Sequence, residues 1–212
     1  MDELTKYCES HSTQPDADLN AIYRGIALHT ANPNMASTPY QGLLLQMLAQ
    51  MVRPRLAVEI GSFAGYGAVC IARGLSEEGV LHVVEVDEEY EDIILSNAER
   101  GKVADKINLH IGQALGVIPT LPDDIEFVFV DADKENYERY YQLLLPKMRA
   151  GGLLIFDNML WYGRVLDTPE TDLRCDRNTR IIQHLNQLVT DDPRVDNILL
   201  PIRDGLMLCR VK

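Results

Sequence analysis

The stretch Ala57-Val58-Glu59-Ile60-Gly61-Ser62-Phe63-Ala64-Gly65-Tyr66-Gly67-Ala68-Val69 decides the fold. Leu56, Val58 and Ile60 give the apolar mix of an inner strand over 55–60. Glycines follow at 61, 65 and 67, and glycine lets the backbone bend sharply and lets a ligand lie close against it. The residues from Ala68 to Gly74 read as a helix, whose N-terminus beside such a turn attracts negative groups. The spacing is G-x-x-x-G-x-G, neither the G-x-G-x-x-G of a dinucleotide fold nor the G-K-[ST] of a P-loop. Glu85 stands 18 residues past Gly67, at the end of the apolar run from Val80 to Val86. An acidic side chain at about that distance accepts from ribose hydroxyls. A nucleoside without a phosphate chain fits these features; the competing reading is a strand–turn–helix that binds nothing.

Working outward, a βα rhythm runs on from this unit. Strands are expected at 80–86, 107–111, 125–130 and 152–156, with helices at 66–75, 88–101, 114–121 and 135–148. Such alternation predicts a parallel sheet covered by helices on both faces. After residue 156 the rhythm changes. Residues 157–178 read as a surface loop, 179–189 as a helix, and 195–201 with 206–211 as a hairpin turned by Asp204-Gly205. Upstream, helices are expected over 18–29 and 40–52, joined by 35–39. They precede the first strand, so residues 1–54 are expected either to cover the sheet's upper rim as a lid or to pack peripherally. The whole chain, 1–212, reads as one domain with its α/β core over 55–212.

Composition narrows the partners. The net charge of −12 disfavours nucleic acid and anionic membrane surfaces. No apolar run approaches about 18 residues, so no membrane span is expected. Met1-Asp2-Glu3 lacks the start of a signal peptide, and Cys8, Cys70, Cys175 and Cys209 form no C-x-x-C. These features place reduced thiols in a cytoplasmic protein.

Ligands of an open α/β sheet bind at the carboxyl ends of its strands. There the chain carries Glu85, Gly112-Gln113-Ala114, Asp131-Ala132-Asp133-Lys134 and Asp157-Asn158. Asp131, Asp157 and Asn158 supply two carboxylates and an amide oxygen, a hard-oxygen set suited to Mg²⁺, Ca²⁺ or Mn²⁺ and not to zinc. The competing readings are a turn at Asp157-Asn158 and a salt bridge between Asp131 and Lys134. Lys134 acts as a general base only if it loses its proton, and acidic neighbours oppose that.

Four segments resemble the metal-dependent O-methyltransferases that use S-adenosylmethionine, the group containing caffeoyl-CoA and catechol O-methyltransferases. They are Glu59 to Tyr66, Val130-Asp131-Ala132-Asp133-Lys134-Glu135-Asn136-Tyr137, Gly151 to Val165, and Leu200-Pro201-Ile202-Arg203-Asp204-Gly205-Leu206. The Asp-Ala-Asp-Lys form is similar to the caffeoyl-CoA branch and its bacterial relatives.

The resemblance implies a class I methyltransferase fold: a doubly wound, mostly parallel seven-stranded sheet in a homodimer. It implies that Asp131, Asp157 and Asn158 hold a divalent cation and that Lys134, with Asp131, serves catalysis. Cofactor contacts would come from Met35 and Ser37 in the lid, from Glu59, Gly61, Ser62, Phe63 and Gly67 in the first loop, and from Glu85 at the ribose. Ala114 would lie near the adenine, and Asp131 and Asp133 toward the methionine end. Trp161 and Tyr162 would face a catechol-like acceptor. The family usually has serine where this chain has Gly67. Loss of a hydrogen bond to a charged group costs about 1.5–3 kcal/mol.

Two other readings compete. The same machinery on a hydroxylated RNA base would need a basic groove, for which Arg164, Arg174, Arg177 and Arg180 are the candidates. A cofactor-binding protein without turnover would leave the Asp131, Lys134, Asp157 and Asn158 set unexplained.

Overall fold

The computed structural model describes residues 3–167 and 176–212. Its centre is one seven-stranded sheet, β1 (Leu56–Ile60), β2 (Val80–Glu85), β3 (Ile107–Ile111), β4 (Ile125–Val130), β5 (Met148–Phe156), β6 (Val195–Leu200) and β7 (Leu206–Val211). The spatial order is β3-β2-β1-β4-β5-β7-β6. All pairs are parallel except those made by β7, which runs antiparallel between β5 and β6. The expected hairpin is therefore present, and it makes the sheet mixed.

The helices are α1 (Glu3–Ser10), α2 (Ala17–His29), α3 (Pro39–Val52), α4 (Tyr66–Ala72), α5 (Glu91–Arg100), α6 (Ala114–Val117), α7 (Tyr137–Leu144) and α8 (Arg177–Asp191). They divide between two apolar layers. Val58, Ile60, Val128, Val130, Leu154 and Phe156 point to the layer built with α7 and α8. Their alternates Ala57, Phe127, Phe129 and Ile155 point to the layer built with α2, α3 and α4. This two-sided burial is why the inner strands read as continuous apolar runs.

Residues 1–54 divide in position. α2 and α3 are part of the second core layer, through Leu19, Ile22, Ile26, Leu45 and Ala49. The linker of residues 31–37 lines the cavity at the upper rim of the sheet, and α3 reaches the same rim through Gln41. Caps set the helix starts: Asp16 accepts Leu19 N at 2.9 Å for α2, and Asp176 accepts Thr179 N at 2.7 Å for α8.

Several boundaries differ from expectation. α1 was not anticipated; it buries no residue, so its sequence shows no core stripe. The helix expected over 135–148 shortens to α7 with 3₁₀ turns at Lys134–Asn136 and Leu145–Lys147, the second turn containing Pro146. β5 begins at Met148 and not near 152, because Met148 pairs with Ile125 across a register shift. The surface loop expected over 157–178 contains a 3₁₀ segment, Trp161–Leu166, and its residues 168–175 lie outside the described residues.

Candidate active site

Strand order creates the site. β1 continues to β2 on one side while β4 lies on the other, so a crevice opens above their carboxyl ends. The loops leaving β1, β4 and β5 stand side by side: Asp131 N donates to Ile60 O at 2.8 Å, and Asp157 N to Val130 O at 3.0 Å. At Gly61 (φ 81°) an added Cβ would lie 2.2 Å from Asp131 O, so only glycine lets these two loops touch.

A cavity of about 1020 Å³ fills the crevice, and every residue expected to contact the cofactor, the cation or a small acceptor lines it. At one end the Glu85 carboxylate accepts four backbone N–H groups: Ser62 at 3.0 Å, Phe63 at 2.7 Å, Val86 at 2.8 Å and Asp87 at 3.1 Å. Glu85 therefore fixes the glycine-containing turn as well as facing the cavity. Phe63 packs against Tyr90 with ring centroids 4.6 Å apart, and Ala114 lies buried on the same lining.

In the middle, Glu59 is buried and its Oε2 has no hydrogen-bond partner; buried Ser62 Oγ likewise has none. Burial, with the charges of Asp131 and Glu85 adding to it, pushes the Glu59 carboxyl up to about 8. Gly67 is what makes room: a Cβ there would stand 2.5 Å from Glu59 Oε1 and 3.7 Å from Ser37 Oγ. Met35 is exposed at the mouth, and Ser37 is buried beneath it.

At the other end the acids gather. Lys134 Nζ donates to Asp131 Oδ1 at 3.1 Å, Ala132 O at 2.9 Å and Tyr137 OH at 2.6 Å. Three acceptors for three N–H groups is the bonding of an ammonium. Asp157 is buried; its Oδ1 accepts Asn158 N at 2.7 Å and its Oδ2 accepts Gln41 Nε2 at 2.7 Å. Burial first, and then the Asp131 charge, raise the Asp157 carboxyl to about 6. Asp133 turns its carboxylate to Tyr140 OH (2.5 Å) and Asn136 Nδ2 (2.6 Å). Trp161 and the exposed Tyr162 form the outer wall.

Three residues that sequence reasoning did not single out complete this end. Gln41 bridges, receiving a bond from Arg203 Nη1 on its Oε1 while donating to Asp157. Asp204 accepts Tyr162 N and Asn158 Nδ2, the latter at 3.3 Å. Arg203 and Asp204 lay within a quoted motif, but nothing in the sequence ties Gln41, in a helix 116 residues earlier, to Asp157.

Backbone strain collects here too. Among the described residues, eight non-glycine residues have positive φ, and five of them line the cavity: Phe63, Asn158, Trp161, Tyr162 and Arg203.

Two of the four arginines that a hydroxylated RNA base would need are paired with acids. Arg164 Nη1 pairs with Asp176 at 2.5 Å and Arg177 with Glu135 at 2.8 Å, while Arg174 lies outside the described residues. Cys8, Cys70 and Cys209 are free thiols, and Cys175 also lies outside the described residues. No described helix is long and apolar enough to cross a membrane. Among the described residues no group of three or more His, Cys, Asp or Glu side chains is placed to hold a metal ion. The Asp131, Asp157 and Asn158 set has two carboxylates and depends on an amide for its third donor.

A crevice at the switch point of this mixed seven-stranded sheet defines the class I methyltransferase fold. A family model described as O-methyltransferase matches residues 9–212. The chain is 34% identical over 185 residues to caffeoyl-CoA O-methyltransferase 1 of Eucalyptus globulus, covering 83% of this chain and 74% of that protein. The O-methyltransferase from Bacillus cereus in complex with SAH superposes with a TM-score of 0.87 at 30% identity, over 99% of this chain and 97% of that one. TomG from Streptomyces achromogenes, in complex with SAM, gives 0.86 at 26% identity, over 100% and 96%. The chain belongs to the O-methyltransferase family.

Proposed function

We propose that this chain is an S-adenosylmethionine- and divalent-cation-dependent O-methyltransferase acting on a catechol-like small molecule. One observation carries the reading: a single cavity joins a glycine-turn and Glu85 cradle at one end to Asp131, Lys134, Asp157 and Asn158 at the other. Relatives support the cofactor, since SAH or SAM accompanies two of the similar structures.

The residues fit a hard cation. Two carboxylates sit close enough for one to raise the other, which an added positive charge relieves. Asn158 commits its amide nitrogen to Asp204, which leaves its oxygen for another partner. Asp131, Asp157 and Asn158 would hold the ion. When bound, a divalent cation supplies Lewis-acid charge that lowers the pKa of an acceptor hydroxyl. When bound, S-adenosylmethionine would supply an activated methyl group on a sulfonium whose sulfur is a neutral thioether leaving group.

This chain's own groups do the rest. Gln41 and Asn158 N orient Asp157 by one bond to each oxygen. Lys134 places a positive charge beside Asp131, where negative charge develops on an acceptor oxygen. To accept that proton it must first release one of its own three. Tyr137 OH, which donates to Asp157 O at 3.2 Å, connects the lysine to the Asp157 loop. Trp161 and Tyr162 restrict the acceptor to a flat group, and holding it in line with the methyl supplies much of the rate.

The test is methyl transfer from labelled S-adenosylmethionine to a catechol panel with Mg²⁺ and with EDTA. Labelling that requires the metal is expected, and Asp157→Ala abolishes it while SAH still binds by calorimetry. Full activity of metal-free protein in EDTA would sink the metal role.

A further inference from the structure

We propose that Arg203 selects an acidic acceptor: its guanidinium, at the acceptor end of the cavity, pairs with a carboxylate carried by the catechol-like substrate. This rests on the acceptor reading of the preceding section and names the substrate class within it.

Lys134 and Arg203 are the only lysine or arginine among the described residues lining the cavity. Their situations differ. Lys134 has an acceptor for each N–H. The guanidinium of Arg203 makes one hydrogen bond among the described residues, from Nη1 to Gln41 Oε1, although its fork carries five N–H groups. Its side chain is exposed to the cavity mouth and not packed away.

Its backbone points the same way. Arg203 has φ 51° in the turn between β6 and β7. That region suits glycine, and a long side chain there is disfavoured sterically. The neighbouring Asp204 accepts Tyr162 N and Asn158 Nδ2, so the turn that strains Arg203 also fixes the acceptor wall and one end of the acid set. Through Gln41 the guanidinium stands two hydrogen bonds from Asp157. A planar fork at that remove matches a carboxylate on the far side of a small ring held over the acids, which would otherwise repel an anionic substrate.

The plainer role is that Arg203 braces Gln41 and offsets the charge of Asp157. That role is indifferent to the acceptor's charge, so the two are separable.

The experiment compares 3,4-dihydroxybenzoate with 4-methylcatechol for wild type, Arg203→Gly and Arg203→Lys, with S-adenosylmethionine and Mg²⁺. Glycine suits the backbone at 203, so folding survives. The readout is the ratio of kcat/KM for acid over neutral acceptor, which cancels any loss both share through Gln41. The ratio is expected to fall about tenfold or more in Arg203→Gly and less in Arg203→Lys. An unchanged ratio overturns the proposal, whatever happens to absolute rates. Calorimetric binding of 3,4-dihydroxybenzoate to the same proteins is the second arm. If wild type methylates neither catechol, the acceptor reading fails separately, and binding weakened only by loss of Arg203 still supports the pairing. Binding equal in wild type and Arg203→Gly overturns it.

Discussion

Gln41 donates to Asp157 Oδ2 at 2.7 Å across 116 residues of sequence, and both side chains are buried. The contact fastens α3 to the loop after β5. Gln41→Leu leaves that carboxylate oxygen without its donor. A hydrogen bond to a charged group is worth about 1.5–3 kcal/mol. In a chain of this size that lowers Tm by roughly 3–12 °C. Calorimetry of the variant checks this, and turnover is expected to fall with it. An unchanged Tm and rate would mean that Asp157 is held without Gln41.

Lys134 distinguishes a fixed charge from a proton acceptor. Lys134→Ala should reduce kcat by about 10²–10⁴-fold, the usual span for such a group, with SAH affinity kept. Lys134→Arg preserves the positive charge and cannot lose its proton at working pH. Substantial rescue by arginine identifies electrostatics as the role. A rate as low as that of Lys134→Ala, in a variant that still binds SAH, assigns proton acceptance.

Gly67 and Glu59 share one volume. Adding a Cβ at 67 places it 2.5 Å from Glu59 Oε1, so Gly67→Ala forces the buried carboxyl aside. Overpacking of this kind costs about 1–3 kcal/mol. The cost should largely vanish in a Glu59→Ala background, where the crowded atoms are gone. A double-mutant cycle in urea reads the coupling directly. Additive effects would show that the two positions do not compete.

Glu59 also sets a pH dependence. Burial raises its folded carboxyl to about 8, while in the unfolded chain it titrates near the usual value of about 4.3. Between those values the folded protein keeps a proton that the unfolded chain has released. Its contribution to stability is therefore full below the unfolded value and declines as pH rises toward 8. Glu59→Gln cannot titrate, so the wild-type-minus-variant difference in unfolding free energy should slope downward across pH 5–8. A flat difference would contradict a buried protonated acid.

Much of this arrangement was legible in the sequence because its cause is local. Strands buried on both faces must be apolar throughout, so Ile125–Val130 announces itself. The loops that follow parallel strands must share one rim, so Glu85, Asp131 and Asp157 could be gathered before any coordinates. What escaped depends on partners distant in the chain. Met148 is in a strand because Ile125 lies opposite it. Arg203 belongs to the site because Gln41 of α3 meets the hairpin turn. The fourfold backbone bonding of Glu85 needs the folded turn, and no residue type signals it.

The five side-chain-bearing residues that line the cavity in left-handed conformation make the rim a poor place to look for harmless stabilisation. Glycine at Tyr162 or Arg203 relieves the backbone and, in a screen that ranks variants by melting temperature alone, would rank as an improvement. The same substitutions remove an aromatic wall and a cation from the cavity lining. Directed evolution for heat resistance would drift toward a sturdier, less discriminating catalyst, and selection on substrate choice would drive those positions back.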